Sequence, residues 1–232
     1  MKRLGVIIPS SNTTVEPEFS EALHCSDVTL HFARIHLNNV TVKDLQDMEK
    51  ETEVAAKLLA DAAVDLIAFA CTSGSLINGL GYDKSIAEKI FKTAGCPAVT
   101  TSTAVVDALN TVNAKKIVLS TPYIEEVAKK EIEFLTESGF AVVHHRSLGI
   151  RENLKIGRLT PNDTQTLALN TDSSIAQAVF ISCTNFQTFK VLPHLEKELN
   201  KPVISSNSAT LWASLKMLKM PTQVSLGKLF LS

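Results

Sequence analysis

Short apolar segments alternate with longer amphipathic segments along this chain. Leu4–Ile8 and Leu66–Ala70 are continuous apolar runs that end at polar residues, which is typical of strands buried on both faces. Residues 41–63 place Leu and Ala at helical spacing after Thr41, a candidate N-cap, and predict one helix. A loop that contains three glycines follows at residues 71–83.

The same pattern continues to the end of the chain. Strands that alternate with helices indicate an α/β fold with mostly parallel sheets. Further strands are predicted at Val28–Ile35, Ala98–Val99, Lys116–Leu119, Ala141–His145, Ala178–Ser182 and Val203–Ile204, and further helices near Lys84–Thr93, Thr103–Asn110, Ile124–Ser138 and Val191–Asn200.

Three segments recur in the same order in the second half of the chain. The residues around Cys71 align with those around Cys183 at an offset of 112 residues. The other pairs are Val6–Asn12 with Ile117–Tyr123, at an offset of 111, and Pro97–Ala104 with Pro202–Ala209, at an offset of 105. We therefore predict two similar Rossmann-like halves, residues 1–112 and 113–232, related by a pseudo-twofold axis. The active site is expected in the cleft between them, with the C-terminal helix free to pack back on the first half.

Each half carries a Cys-Thr pair directly after a buried strand, at Cys71 and Cys183. Ligands of parallel sheets bind beyond the carboxyl ends of the strands. N–H groups at helix N-termini there lower a thiol pKa from about 8.5 and favour the thiolate. Two thiols facing one cleft can supply a nucleophile or base and an acid to opposite faces of a substrate. Cys25 and Cys96 have no such repeat partner and are assigned to packing.

Hydroxyl and amide side chains follow the same strand ends. Together with backbone N–H groups they can hold a small anion such as a carboxylate, although each can also cap a helix. Their collection at equivalent strand ends favours a binding site that includes Ser11, Asn12, Thr72, Ser73, Tyr123, Thr184 and Asn185. Thr101–Ser102 and Ser206–Asn207 follow the fourth strand of each half in the same way.

Charge and composition exclude several classes of function. The 232 residues include 23 Lys+Arg and 24 Asp+Glu, and this balance disfavours nucleic-acid binding and polybasic membrane attachment. No apolar stretch approaches the 18 residues of a membrane span, and the apolar run before Pro9 is too short for a signal-peptide core. We therefore expect a cytoplasmic protein with four free thiols.

The six histidines do not have zinc-ligand spacing with other residues, and the sequence contains no Cys-x-x-Cys. Gly79-Leu80-Gly81 lacks the further glycine or the Gly-Lys-Ser/Thr of a phosphate-binding loop. Neither a metal nor a nucleotide cofactor is expected.

Several motifs spread over most of the chain resemble those of the aspartate/glutamate racemase superfamily. Its members are cofactor-independent enzymes with two similar α/β halves that each contribute a cysteine. Within the superfamily the chain is most similar to the maleate cis–trans isomerases. The segments that carry this resemblance are Pro9–Glu18, Cys71–Ser75, Ser120–Tyr123, Glu152–Leu159 and Ser182–Asn185.

The resemblance implies isomerisation of a small cis-dicarboxylate, most simply maleate to fumarate, without a cofactor. It implies that Cys71 is the nucleophile at an alkene carbon and that Cys183 donates and accepts the proton. Asn12, Tyr123 and Asn153 are implied as carboxylate contacts, and the protein as a homodimer or higher homo-oligomer. The related arylmalonate decarboxylases keep only the second cysteine, whereas this chain has both.

Two alternatives stay open from the residues. The same cleft could racemise an amino acid or hydantoin, with the two cysteines exchanging a proton at one carbon. A non-enzymatic dicarboxylate-binding protein that retains the cleft is the other alternative.

Overall fold

Two four-stranded parallel sheets organise the computed structural model, which describes residues 1–221, 224 and 226–231. The first sheet contains β1 (Lys2–Pro9), β2 (Val28–Ile35), β3 (Leu66–Phe69) and β4 (Ala98–Thr100). The second contains β5 (Lys116–Thr121), β6 (Ala141–Ser147), β7 (Ala178–Ile181) and β8 (Val203–Ser205). Their strand orders are β2-β1-β3-β4 and β6-β5-β7-β8, so the two sheets have the same topology. The predicted α/β fold of two similar parallel-sheet halves is confirmed.

Helices flank both sheets. Those of the first half are α1 (Val15–Leu23), α2 (Val42–Glu49), α3 (Thr52–Asp61), α4 (Thr72–Leu76), α5 (Tyr82–Ala94) and α6 (Thr101–Thr111). Those of the second are α7 (Glu125–Glu137), α8 (Asn153–Gly157), α9 (Pro161–Thr171), α10 (Leu192–Leu199) and α11 (Ser206–Met217), followed by a 3₁₀ turn at Lys228–Leu231. Across the described residues, none of these helices has the length and hydropathy needed to cross a lipid bilayer.

The central strands are apolar because helices cover both faces of each sheet. Every residue of β3 and of β7 is buried. Parallel pairing aligns β1 with β3 and β5 with β7. Cys71 and Cys183 each lie two residues beyond the end of β3 or β7, so the two thiols occupy equivalent carboxyl edges.

The long helices α6 and α11 pack against each other between the sheets. Each begins directly after the last strand of its own sheet, and Thr101 Oγ1 lies 2.9 Å from Thr210 Oγ1 across their contact. Helix α11 also contacts β3 and β4, so this C-terminal helix packs on the first sheet. The division into residues 1–112 and 113–232 stays our proposal.

The structure differs from the predicted elements in several places. The helix predicted over 41–63 is interrupted at Lys50–Glu51, where the Glu51 carboxylate accepts a hydrogen bond from His36 N at 2.9 Å. The glycine-containing loop after Cys71 begins with the short helix α4. The predictions also omit helices α1, α8 and α9, although Thr160 and Asp163 form a capping box, with Pro161 as the first helical residue, that marks the start of α9.

Candidate active site

Cys71 is the N-cap residue of α4, and its side chain is only 4% exposed. The Gly74 N–H and the Ser73 hydroxyl hydrogen-bond the sulfur and lower its pKa. Burial has the larger effect and raises the pKa of the Cys71 thiol to about 11. The sequence argument predicted a lowered thiol pKa. That prediction is wrong because loss of hydration outweighs the donors at the helix start.

Cys183 has a backbone φ of 105°, a value that residues with a side chain rarely adopt. Its N–H donates to Ser206 Oγ at 3.0 Å, and its sulfur accepts a hydrogen bond from Asn185 N at 3.3 Å. Burial raises the pKa of the Cys183 thiol to about 12, against the lowering effect of the Tyr123 hydroxyl and Asn185 N–H. The thiol is therefore protonated at neutral pH.

Hydrogen bonds join the two cysteine loops across the boundary between the sheets. Thr184 Oγ1 donates to the carbonyl of Ala70 at 3.1 Å. Thr72 Oγ1 donates to Ser206 Oγ at 2.8 Å, and the same Ser206 oxygen also accepts the Cys183 N–H. The first residues after both strands are thus held in one interior.

Tyr123 follows β5, and its side chain is almost completely buried at 1% exposure. Burial and the nearby Cys183, Glu131 and Cys71 groups hold the pKa of its phenol well above the usual value. The phenol is therefore a neutral hydrogen-bond donor that faces both thiols.

Asn12 follows β1 and fixes the start of α1. Its Oδ1 accepts hydrogen bonds from Thr14 N at 2.9 Å and Val15 N at 3.0 Å, although the N-cap residue itself is Thr14. Its Nδ2 donates to Thr184 Oγ1 at 3.2 Å, which connects it to the loop of Cys183. Asn12 therefore both holds the chain at the entry to α1 and belongs to the polar cluster.

Asn185, Asn153 and Ser11 form the other side of this cluster. Asn185 Nδ2 donates to the Asn153 carbonyl at 2.8 Å, and Asn185 Oδ1 accepts from Thr13 N at 2.9 Å. Asn153 Nδ2 donates to Ser11 Oγ at 2.9 Å. The amides are thus oriented by contacts that cross between the halves.

Two loop segments, 38–40 and 151–153, pair over the polar cluster. Asn39 and Glu152 form an antiparallel bridge, and Val40 N donates to the Arg151 carbonyl at 2.7 Å. Asn153 N donates to the Asn38 carbonyl at 2.9 Å. This pairing holds the buried Asn153 beside the cluster, and nothing in the hydrophobic pattern predicts it.

The structure brings all ten residues selected from the sequence into or beside this one interior. Nine are buried and Ser11 is half-buried: Cys71, Cys183, Asn12, Thr72, Ser73, Tyr123, Asn153, Thr184 and Asn185. In the part of the chain that the structure describes, no three His, Cys, Asp or Glu side chains are grouped as a metal site. Ser206, noted from the sequence as a polar residue after the fourth strand, and Glu131 were not among the predicted site residues.

A family model described as arylmalonate decarboxylase matches residues 4–230, nearly the whole chain. The chain belongs to this family. The arylmalonate decarboxylase of Bordetella bronchiseptica is 24% identical over 92% of this chain and 89% of that protein. A solved arylmalonate decarboxylase variant, 22% identical with a TM-score of 0.89, shares the fold.

Maleate isomerases are more similar relatives within these comparisons. The enzyme from Geobacillus stearothermophilus is 34% identical over 96% of this chain and 94% of that protein. The enzyme from Pseudomonas putida is 30% identical over 94% of this chain and 92% of that protein. The predicted resemblance to maleate cis–trans isomerases is confirmed.

Solved structures agree with the sequence comparisons. A Pseudomonas putida maleate isomerase variant with maleate has a TM-score of 0.95 and 27% identity, and covers 99% of this chain and 97% of that one. A Nocardia farcinica maleate cis–trans isomerase variant, with a covalently bound succinylcysteine intermediate, has a TM-score of 0.95 and 25% identity over 99% and 98% of the two chains.

The relatives include both decarboxylases and isomerases, so the residues of the site are needed to tell which of these reactions the site can support. A decarboxylation needs one proton donor, whereas thiol addition and elimination needs a nucleophile as well. This chain supplies two thiols, Cys71 and Cys183, from equivalent strand ends.

Proposed function

We propose that this protein isomerises maleate to fumarate, without a cofactor, by thiol addition, bond rotation and elimination. The observation that carries the proposal is the pair of buried thiols, Cys71 and Cys183, in one interior lined by amides and hydroxyls. The succinylcysteine intermediate of the Nocardia farcinica relative supports the same chemistry.

The reaction begins when the Cys71 thiolate attacks one alkene carbon of maleate. A C–S bond forms, the double bond becomes single, and the neighbouring carbon takes the proton of Cys183, which gives a succinyl adduct on Cys71. Rotation about the new single bond exchanges the cis and trans arrangements. The Cys183 thiolate then removes the proton, the C–S bond breaks, and fumarate leaves with the Cys71 thiolate restored.

Neutral donors suit the carboxylates of this substrate. Asn12, Tyr123 and Asn153 are proposed to contact them, and hydrogen bonds from these groups stabilise the enolate-like charge of the addition step. The remaining proposed contacts are Ser11, Thr72, Ser73, Thr184 and Asn185. A dianion can be held here without a basic patch because amide, hydroxyl and backbone N–H groups are preoriented.

Both thiols are protonated in the free protein at neutral pH. Burial raises the pKa of Cys71 to about 11, and the Gly74 and Ser73 donors stabilise the small thiolate fraction that attacks. Burial of Cys183 raises its pKa to about 12 and keeps it as the thiol that donates.

The direct test is conversion of maleate by the purified protein, followed by proton NMR without added cofactor. We expect fumarate to accumulate and no other product to form. A folded protein that leaves maleate unchanged would contradict the proposal.

The two alternatives give different results in the same samples. A racemase would incorporate solvent deuterium into an unreacted amino acid or hydantoin and would form no adduct with maleate. A binding protein would be stabilised thermally by maleate without turnover.

Replacement of Asn153 by Ala tests the proposed carboxylate contact. A hydrogen bond to a charged group contributes about 1.5–3 kcal/mol, so kcat/KM for maleate should fall by about 10- to 100-fold. Initial rates over a range of maleate concentrations measure this. Asn38→Ala is the matched control, since Asn38 is exposed, its side chain hydrogen-bonds His36, and the substitution leaves the backbone bond from Asn153 N to its carbonyl in place; its kcat/KM should stay within about twofold of wild type. An equal loss in both variants would argue against a specific contact.

Assembly and location are further parts of the proposal. We propose a homodimer or higher homo-oligomer, on the basis of the family resemblance, and a cytoplasmic protein, where four free thiols stay reduced. Light scattering coupled to gel filtration tests the first point.

A further inference from the structure

A carboxyl group occupies the centre of an apolar helix face beside Cys183. The buried positions Val15, Phe19 and Leu23 of α1 have the same i, i+4, i+8 spacing as the buried positions Val127, Glu131 and Leu135 of α7, and matching these buried faces pairs Phe19 with Glu131, one residue out of step with the offset of 111 that relates the preceding strands. Two of these pairs conserve apolar character. At the middle pair, a fully buried Phe19 is replaced by a fully buried Glu131.

The residue that precedes each cysteine also differs between the halves, from apolar in the first to polar in the second. Ala70, which precedes Cys71, corresponds to Ser182, which precedes Cys183. The Ser182 hydroxyl donates a hydrogen bond to Glu131 Oε1. The first half thus places an apolar pair beside its cysteine, and the second half places a hydrogen-bonded polar pair beside its own.

No neighbour neutralises the Glu131 carboxyl. Among the described residues Glu131 forms no ion pair, and the groups that face it are the hydroxyls of Ser182 and Thr121, the phenol of Tyr123 and the thiol of Cys183. Burial raises its pKa to about 8. A negative charge on this carboxyl therefore acts on Cys183 through a medium of low polarity.

The other elements packed on α7 place no compensating charge beside Glu131. Helix α4 carries no ionisable side chain between Thr72 and Leu76. Strand β6 places His145 4.0 Å from Glu125, the first residue of α7, and not beside Glu131. Two other charged or titratable residues of β6, His144 and Arg146, are exposed.

We propose that Glu131 is a positioning residue whose carboxylate, once ionised on the alkaline side, opposes ionisation of Cys183 and so preserves Cys183 as the proton donor. This inference rests on the proposed function for its roles, but its electrostatic part does not require turnover. A carboxylate disfavours a second negative charge beside it. The pKa of Cys71 is set by burial and by hydrogen bonds from Gly74 and Ser73, with no contribution from a neighbouring charge.

The sign of the effect follows from the order of ionisation. As the pH rises through about 8, Glu131 loses its proton before the Cys183 thiol does. The new charge then opposes ionisation of Cys183 and extends the pH range in which the proton donor is intact. Glu131→Gln removes that charge and keeps a group that can accept from Ser182.

The test measures each thiol separately, without maleate. Glu131→Gln is placed in a Cys71→Ser background, and the rate of Cys183 alkylation by iodoacetamide is followed from pH 7 to 10.5 by peptide mass spectrometry. We expect alkylation of Cys183 above pH 8 to be about three- to tenfold faster than with Glu131 present. In the matched Cys183→Ser background, alkylation of Cys71 should change by less than about twofold.

Two further variants keep the result interpretable. Glu131→Leu combined with Ser182→Ala rebuilds an apolar pair like that of the first half and should accelerate Cys183 alkylation as Glu131→Gln does. Glu131→Asp should restore slow alkylation.

In the otherwise wild-type protein, Glu131→Gln should move the alkaline fall of kcat/KM to lower pH. Unchanged Cys183 alkylation, or an equal acceleration at Cys71, would overturn the inference, whether or not the protein converts maleate.

Discussion

The Cys71→Ala variant is expected to lose maleate isomerisation by at least about a thousandfold, since it removes the proposed nucleophile. Cys183→Ala removes the proton donor and is expected to lower kcat by about 100- to 10,000-fold. Fumarate formation by NMR measures both losses. Cys25→Ala is the control, because Cys25 is exposed and has no repeat partner.

The two cysteine variants differ in whether they retain a covalent adduct. Mass spectrometry after incubation with maleate should find one added maleate on the Cys183→Ala protein, on the peptide that contains Cys71. The Cys71→Ala protein should carry none. An adduct confined to Cys183 would exchange the two assigned roles, and full activity in either variant would refute the two-thiol mechanism.

Gly74→Ala is expected to lower kcat/KM by about 100-fold while the protein remains folded. A Cβ at this position would lie 2.8 Å from the sulfur of Cys71 and 2.5 Å from Met48 Cε, so the thiol must move away from its present place. A displacement of about 1 Å at a reacting group has effects of this size. Steady-state rates measure the loss, and thermal unfolding measures the fold.

A double variant separates the two close contacts of Gly74. Adding Met48→Ala removes the contact with the flexible methionine and leaves the contact with the sulfur. We expect no recovery of activity. Alanine is intrinsically a better helix former than glycine by about 1 kcal/mol, so a large loss of thermal stability is not expected from α4 itself. Recovery in the double variant would show that Met48, and not the thiol, caused the loss.

Local pattern was sufficient for the strands and for the pair of cysteines. The apolar run Leu66–Ala70 predicts a buried strand because every side chain of β3 must face either the sheet's helices or its core. The repeat then places Cys71 and Cys183 at equivalent edges, since the same topology is used twice. Local pattern was less informative about α4 and α8, which have only five residues each and little room for periodicity.

The protonation of the thiols could not be predicted from the motif. The sequence places each thiol at a strand end near backbone N–H donors, and those donors are present at Cys71 and Cys183. Their effect competes with desolvation, which depends on how completely the other half and the loop pair 38–40 and 151–153 cover the site. Burial raises both pKa values because this cover excludes water.

The parallel α/β halves, the two thiols and the amide and hydroxyl side chains that follow the same strands could all be predicted, because they depend on local apolar runs and on a repeat. Which of these groups meet depends on how the two halves pack. Ser206 joins Thr72 to Cys183, and Glu131 lies beside Cys183 while Phe19 holds the corresponding place in the first half. These contacts join residues 23 to 134 positions apart, so their geometry follows from packing of the halves and not from any local pattern.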